Sequence, residues 1–297
     1  MNDFNGVIIL NKPRGSSSHR MVSIVRRALD MKKVGHTGTL DPGATGVLPI
    51  LVGTATRASD LLTAQDKRYR ATVLLGTVTD TLDTDGEVIA ENPVSVTESD
   101  IRSIVSGFVG NIEQLPPMYS AVQVGGQRLY HLARQGIEIE RKPRSVTIYS
   151  IEILSIDIPR VTIDVHCSKG TYIRTLAADI GDKLGCGACI ESLTRTQSGD
   201  FLIENSVTPE QLSELSEKGE AESVIIPTDK LFPDYEAVQL DKKRADRVKN
   251  GVPIYFGGKD FGQKLRIYDE NGNFIALSEV SETDGRKCLK LIKGFYK

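Results

Sequence analysis

The sequence predicts an α+β fold, and three observations carry that reading. Residues 69–75 and 161–167 alternate apolar and polar side chains with period two, as half-buried strands do. Residues 18–29 and 171–184 carry apolar side chains at helical spacing. The order of these segments follows no regular strand–helix–strand repeat, which sets the chain apart from doubly wound sheets.

Residues 6–10 form a short apolar strand that ends at Asn11-Lys12-Pro13-Arg14-Gly15. Ser16, Ser17 and Ser18 then offer N-caps for a helix whose apolar face is Met21, Val22, Val25, Ala28 and Leu29. An apolar run follows at 47–52, and residues 80–87 read as a polar turn. The strand at 69–75 sets Tyr69, Ala71, Val73 and Leu75 on one face. Residues 99–109 read as a helix, and 116–144 as irregular, with Tyr, His and Arg interleaved. Strand pattern returns at 146–158 and 161–167. Ile173, Leu176, Ala177, Ile180 and Leu184 then form a helical stripe that Gly185 can end. Residues 204–230 are rich in Glu and Ser and read as a connecting helix and linker. From about Tyr235 a smaller unit begins, with a basic helix at 241–250 and strands near 264–268 and 274–280.

The 297 residues suit one large domain or two. A hydrophobic fraction of 39% with 26% charged residues reads as soluble and globular. A net charge of -2 confines any nucleic-acid surface to a local patch. No apolar run is long enough for a membrane span, and the first residues lack the features of a signal peptide. Four cysteines in this length do not make a disulfide framework, so the expected compartment is cytoplasmic.

One carboxylate has an unusual setting. Gly35-His36-Thr37-Gly38-Thr39-Leu40-Asp41-Pro42-Gly43-Ala44-Thr45-Gly46 places Asp41 among four glycines, and Pro42 keeps Asp41 out of the helical region. Such a loop can aim a carboxylate at a ligand, or simply close a surface turn. Arg174 opens its helix, where a cation opposes the helix dipole. A partner carboxylate or phosphate explains it better than helix stability, with a solvated arginine as the alternative. Tyr69 is either a core ring or a stacking platform edged by Lys67 and Arg70. His36 taken alone reads as structural, and Lys12 as part of a turn. Basic residues cluster at Arg128, His131 and Arg134, at Arg141, Lys142 and Arg144, and at Lys242, Lys243, Arg244 and Arg247. Interleaved with Tyr130 and Tyr149, they favour RNA over a merely solvated face.

Several site types are disfavoured. The loop has neither G-x-x-x-x-G-K-[ST] nor G-x-G-x-x-G order, so nucleotide sites lack support. Asp80, Asp83, Asp85 and Gly86 imitate a calcium loop, but the register puts Thr81 and Asn92 at its first and last ligand positions. Cys186 and Cys189 lack a second ligand pair, so buried thiols fit better than zinc. No metal site is expected.

These pieces, in this order, resemble the TruB family of pseudouridine synthases. The matching stretches are Leu10-Asn11-Lys12-Pro13-Arg14-Gly15, the block from Gly35 to Leu48, Lys67-Arg68-Tyr69, the stretch from Gly76 to Gly86, Pro116-Pro117-Met118-Tyr119-Ser120-Ala121, and Gly170-Thr171-Tyr172-Ile173-Arg174-Thr175-Leu176. Ser17 and Thr194 depart from the family pattern, which usually has Thr and often has Arg there.

The resemblance implies a mixed, largely antiparallel sheet in a catalytic domain over 1–230. An RNA-gripping insertion would lie at 116–144, and a β-rich PUA-like RNA-binding domain over 231–297. It implies isomerisation of uridine to pseudouridine at position 55 in the T arm of tRNA, by a cytoplasmic monomer with no cofactor. By the same resemblance Asp41 is the nucleophile, Arg174 its ion-pair partner, and Tyr69 the ring that stacks on a flipped uracil. Leu193, Gly38, Thr39 and Tyr172 would line the pocket, His36 would hold the nucleotide out of its stack, and Lys12 would support the pocket or approach the backbone. The alternatives are an RNA-binding or RNA-folding protein without turnover, and a synthase acting on another RNA.

Overall fold

The computed structural model describes every residue except Met1, Ala121, Arg134 and Lys297, and the backbone alone of Arg128. Among the described residues the main sheet has ten strands. Its path runs Ile226–Pro227, Gly6–Lys12, Thr45–Val52, Ala188–Ser198, Lys67–Leu75, Arg160–Cys167, Arg144–Asp157 and Gly110–Gln114. Val34–His36 and Phe201–Leu202 pair beside it. Its pairings are antiparallel apart from one, where Thr194 and Arg195 lie parallel to Thr45 and Gly46. The sheet is therefore mixed and largely antiparallel, on an α+β plan.

That short parallel contact joins two half-sheets, each with its own core. The half containing Gly6–Lys12 and Thr45–Val52 packs on the helices Ser18–Ala28 and Pro209–Glu217, around Met21, Val25, Leu48, Ile50 and Leu212. The half containing Lys67–Leu75 and Arg160–Cys167 packs on Glu98–Ser106 and Ile173–Leu184, around Ala71, Val73, Ile163, Leu176 and Ile180. Tyr69 and Leu193 pack against both cores. Each fully buried aliphatic side chain contributes roughly 1.5–3 kcal/mol, so the two layers hold the seam between them firmly.

The helix ends follow the local chemistry. Ser17 caps Ser18–Ala28 by accepting from the Arg20 amide at 3.1 Å. Thr97 and Asp100 form a capping box at the start of Glu98–Ser106, which stops at Gly107, short of the expected 109. Gly185, left-handed at φ 78°, ends Ile173–Leu184.

Three differences from expectation have physical reasons. The central strand Ala188–Ser198 has no period-two pattern because bulges at 190–192 and 195–197 interrupt the alternation. The segment 204–230 is stitched into the first unit: Val207 bonds Ile9 and Asn11, Leu212 is buried, and Ile226–Pro227 pairs with Gly6 and Val7. Within 116–144, Gln123–Val124 pairs with Gln127–Arg128, followed by the short helix Leu129–Ala133.

A second sheet takes Glu236–Gln239, Lys264–Tyr268, Phe274–Thr283, Arg286–Gly294 and Ile254–Tyr255, in that order. The basic helix is Lys242–Lys249, capped by Asp241. Among the described residues no helix is long and apolar enough to cross a membrane.

Candidate active site

Asp41 stands at the seam between the half-sheets. Its loop is tied down from three sides. Ser18, in the first turn of its helix, exchanges hydrogen bonds with both backbone groups of Leu40, at 2.9 and 3.0 Å. The Gly15 amide donates to the Pro42 carbonyl at 2.8 Å. Lys12 is fully buried, and its ammonium donates to the carbonyls of Ser16 (2.7 Å), Pro13 (3.0 Å) and Pro42 (3.2 Å). Burial brings the Lys12 pKa down to about 8, although the nearby Asp41 charge opposes that shift.

Arg174 pairs with Asp41 at 2.8 Å. The guanidinium is 5% exposed and the carboxylate 41%, so the pair is anchored in protein at one end and open at the other. Arg174 is held by two carbonyls at 2.7 Å, those of Thr81 and Tyr119, and faces a second carboxylate, Asp83, at 3.4 Å. Burial raises the Asp83 pKa, against the Thr81 hydroxyl bond and the Arg174 charge. A fixed guanidinium beside Asp41 keeps the carboxylate oriented, with its free edge facing the solvent side.

The carboxylate opens into a cavity of about 540 Å³. Gly38, Thr39, Tyr69, Tyr172, Arg174 and Leu193 share its walls with Asp41, as do Lys67, Ser120, Arg144 and Arg195. Burial pushes the Tyr69 phenol up, and the Arg195 charge pulls it back. Burial likewise raises Tyr172. Lys67 donates to the carbonyls of Thr63 and Gln65, and burial brings it down to about 8.

Two residues expected at the substrate are not among those lining this cavity. Lys12 holds the loop rather than facing the cavity. His36 sits half-buried on Val34–His36, its Nδ1 buried without a hydrogen-bond partner, and its pKa is lowered by burial and then by Arg195 and His19. Of the basic positions in 116–144, Arg144 reaches the cavity, while His131 and Lys142 are exposed. Arg141 is engaged with the Pro116 carbonyl and with Glu138. Arg134 and the Arg128 side chain lie outside the described residues. Thr194, the departure from the family pattern, bonds the Thr45 hydroxyl at 2.8 Å across the seam.

Sequence reasoning overlooked Asp83 and Arg195 as parts of the site, and it placed Lys67 only at the edge of the Tyr69 platform. Asp83 lies in a turn whose acidic spacing suggested a calcium loop. Its actual partner, Arg174, is far along the chain. The four cysteines are buried and free. Among the described residues no cluster of His, Cys, Asp and Glu has the makings of a metal site.

Comparison with known proteins decides the lineage. Residues 26–173 match the model of the TruB family pseudouridylate synthase N-terminal domain. Residues 174–233 match that of the tRNA pseudouridylate synthase B C-terminal domain, and 237–286 that of the pseudouridine synthase II TruB C-terminal region. The tRNA pseudouridine synthase B of Alkaliphilus oremlandii is 43% identical over 296 residues, covering 97% of this chain and 98% of that protein. Its counterpart in Pseudomonas fluorescens is 45% identical over 285 residues, covering 95% and 93%.

The chain belongs to the TruB family.

Solved structures agree with this TruB assignment. A Cbf5-Nop10-Gar1 complex contains a chain with TM-score 0.73 and 29% identity, covering 98% of this chain and 85% of that one. An H/ACA RNP bound to a substrate RNA containing 2'-deoxyuridine gives TM-score 0.71 at 27% identity, with coverage of 98% and 85%. TruB-family pseudouridine synthases are isomerases.

Proposed function

We propose that this TruB-family chain converts uridine to pseudouridine at position 55 in the T arm of tRNA, with Asp41 as the nucleophile. The observation that carries the reading is the Asp41–Arg174 ion pair, 2.8 Å long and facing a cavity walled by Tyr69 and Leu193. A uridine stacked in RNA cannot reach a carboxylate seated in such a cavity, so the nucleotide must flip out. Tyr69 then offers its ring to one face of the uracil and Leu193 adds apolar contact.

Asp41, kept oriented by Arg174, attacks the ribose anomeric carbon or the base. The bond between uracil N1 and the ribose breaks, the base turns within the cavity, carbon 5 bonds to the ribose, and the bond to Asp41 breaks to return the free carboxylate. Carbon 5 loses its proton and N1 holds one at the end, so atoms balance with no redox change and no external group. No cofactor is required. The Tyr69 hydroxyl is placed to help move that proton. Gly38, Thr39 and Tyr172 shape the walls, and Lys12 and His36 support them from behind. Arg144, Lys142 and His131, with Arg128, Arg134 and Arg141, form the RNA grip over 116–144.

The residues 1–230 act as the catalytic unit and 231–297 as a second RNA-binding unit. The enzyme acts as a monomer in this reading, and a tRNA substrate makes the cytoplasm its workplace.

The test is tritium release from carbon-5-labelled uridine in unmodified tRNA, with wild type and Asp41→Asn side by side. Release by wild type alone is the expected result. Binding without release by either protein would move the chain to an RNA-folding role, or to a different RNA target.

A further inference from the structure

Arg195 is 1% exposed, yet it forms part of the cavity wall. Unlike Arg174, it is held by neutral groups. Its Nε donates to the Val47 carbonyl at 2.7 Å and its Nη2 to the Gly38 carbonyl at 3.0 Å. Tyr69 is its direct partner across the sheet, and the two side chains share the cavity wall. Its backbone meets Gly46 at the parallel contact that joins the half-sheets. The approach there is so close that a Cβ on Gly46 would lie 2.2 Å from the Arg195 carbonyl oxygen.

A buried guanidinium is costly, and full hydrogen bonding is what makes it tolerable. Burying one to bond two backbone carbonyls is an expensive way to join two strands. Its place beside Tyr69 gives it a purpose. Arginine only donates, so in a bond between them the Tyr69 oxygen accepts. The phenolic O–H is then left to point elsewhere, towards the cavity. The same guanidinium grips Gly38, three residues before Asp41 on the same loop.

We propose that Arg195 is a positioning residue for Tyr69. It fixes the phenol as a donor towards the bound base and sets it in register with the loop that carries Asp41. This rests on the synthase reading above. The planar fork holds two carbonyls at once while lying beside the phenol, a geometry lysine cannot reproduce.

A double-mutant cycle tests it. Arg195→Lys and Arg195→Gln are made in chains carrying Tyr69 and in chains carrying Tyr69→Phe. Single-turnover tritium release and KM are measured on a T-arm stem-loop. In the Tyr69 background Arg195→Lys should lower the rate constant about 10- to 100-fold, with KM moving less than about threefold. In the Tyr69→Phe background the further loss should shrink to less than about threefold, because the hydroxyl it serves is already gone. Equal losses in both backgrounds would reduce Arg195 to a strand brace.

A second measurement does not depend on Arg195 variants folding. The guanidinium NMR signal of Arg195 should shift in Tyr69→Phe, and an unmoved signal overturns the proposal. Wild-type release without coupling refutes only this inference. Absence of wild-type release refutes the synthase reading itself.

Discussion

The two walls of the cavity are built differently. The wall carrying Asp41 is pinned by Lys12, Ser18 and Arg195, whose side chains are all buried and whose bonds run to backbone groups. The segment 116–144 gives the cavity buried Ser120 and exposed Arg144, and its Arg141–Glu138 pair involves a largely exposed carboxylate. Buried bonds to backbone hold atoms to fractions of an ångström, whereas exposed charges attract without fixing position. The contrast assigns precision to the chemistry and long-range attraction to the grip.

The largest expected effect lies on the rigid wall. Asp41→Asn keeps the shape and the bonds around the loop but removes the nucleophile, so turnover should vanish while the melting temperature and tRNA affinity persist. An active, folded Asp41→Asn protein would end the nucleophile assignment. Next comes Gly46→Ala. Its φ of +99° and its 2.2 Å approach to a backbone carbonyl leave no room for a methyl group. A loss of about 3 kcal/mol is expected by denaturant titration, and a loss below about 1 kcal/mol would show that the seam can give way.

Protons offer a third probe. Lys67 is held near pKa 8 by burial, against 10.5 for a free lysine. Between these values the unfolded chain holds more protons than the folded one, so this lysine makes stability rise with pH from about 8 to 10.5. Below pH 8 the slope vanishes. Lys67→Met should lose that rise, by at most about 1.4 kcal/mol per pH unit, in melts across pH 7–10. Parallel curves for the two proteins would mean that Lys67 is hydrated.

On the other wall, Lys142→Ala with Arg144→Ala should weaken tRNA binding a few-fold. It should also flatten the dependence of log affinity on log salt by up to about two, roughly one for each phosphate no longer neutralised. An unchanged salt slope would detach these residues from the RNA. The smallest effect belongs to the surface pair between Arg14 and Asp85, 2.9 Å apart with both side chains half-exposed. Arg14→Ala should cost less than about 1 kcal/mol in stability.

How much was readable in the sequence depended on whether the signal was local. The Asp41 loop announced itself through glycines and a proline within a dozen residues. Arg174 stood out because its position in a helix made poor sense without a partner. The helix at 18–28 followed from its serines and its apolar stripe. The strand at 188–198 was hidden because two bulges reset its alternation, and with it went Arg195. Asp83 looked like part of a polar turn because its partner lies far along the chain. The connecting segment looked like a linker because Leu212 and Ala221 are sparse among Glu and Ser, although both are buried. Burial and long-range pairing set these roles, and neither leaves a local pattern.

The reverse side of the strands that carry the loop has its own consequence. Val7, Ile9, Val47 and Leu51 share a core with Leu231, Phe232, Leu277 and Phe295, and the Phe232, Phe274 and Phe295 rings cluster there. The smaller sheet thus closes the back of the catalytic one. A chain cut near residue 230 would expose that oily surface to water and to its own copies. The intact protein should melt in one calorimetric peak, its two sheets lost together, and the truncated piece should aggregate before it can be assayed.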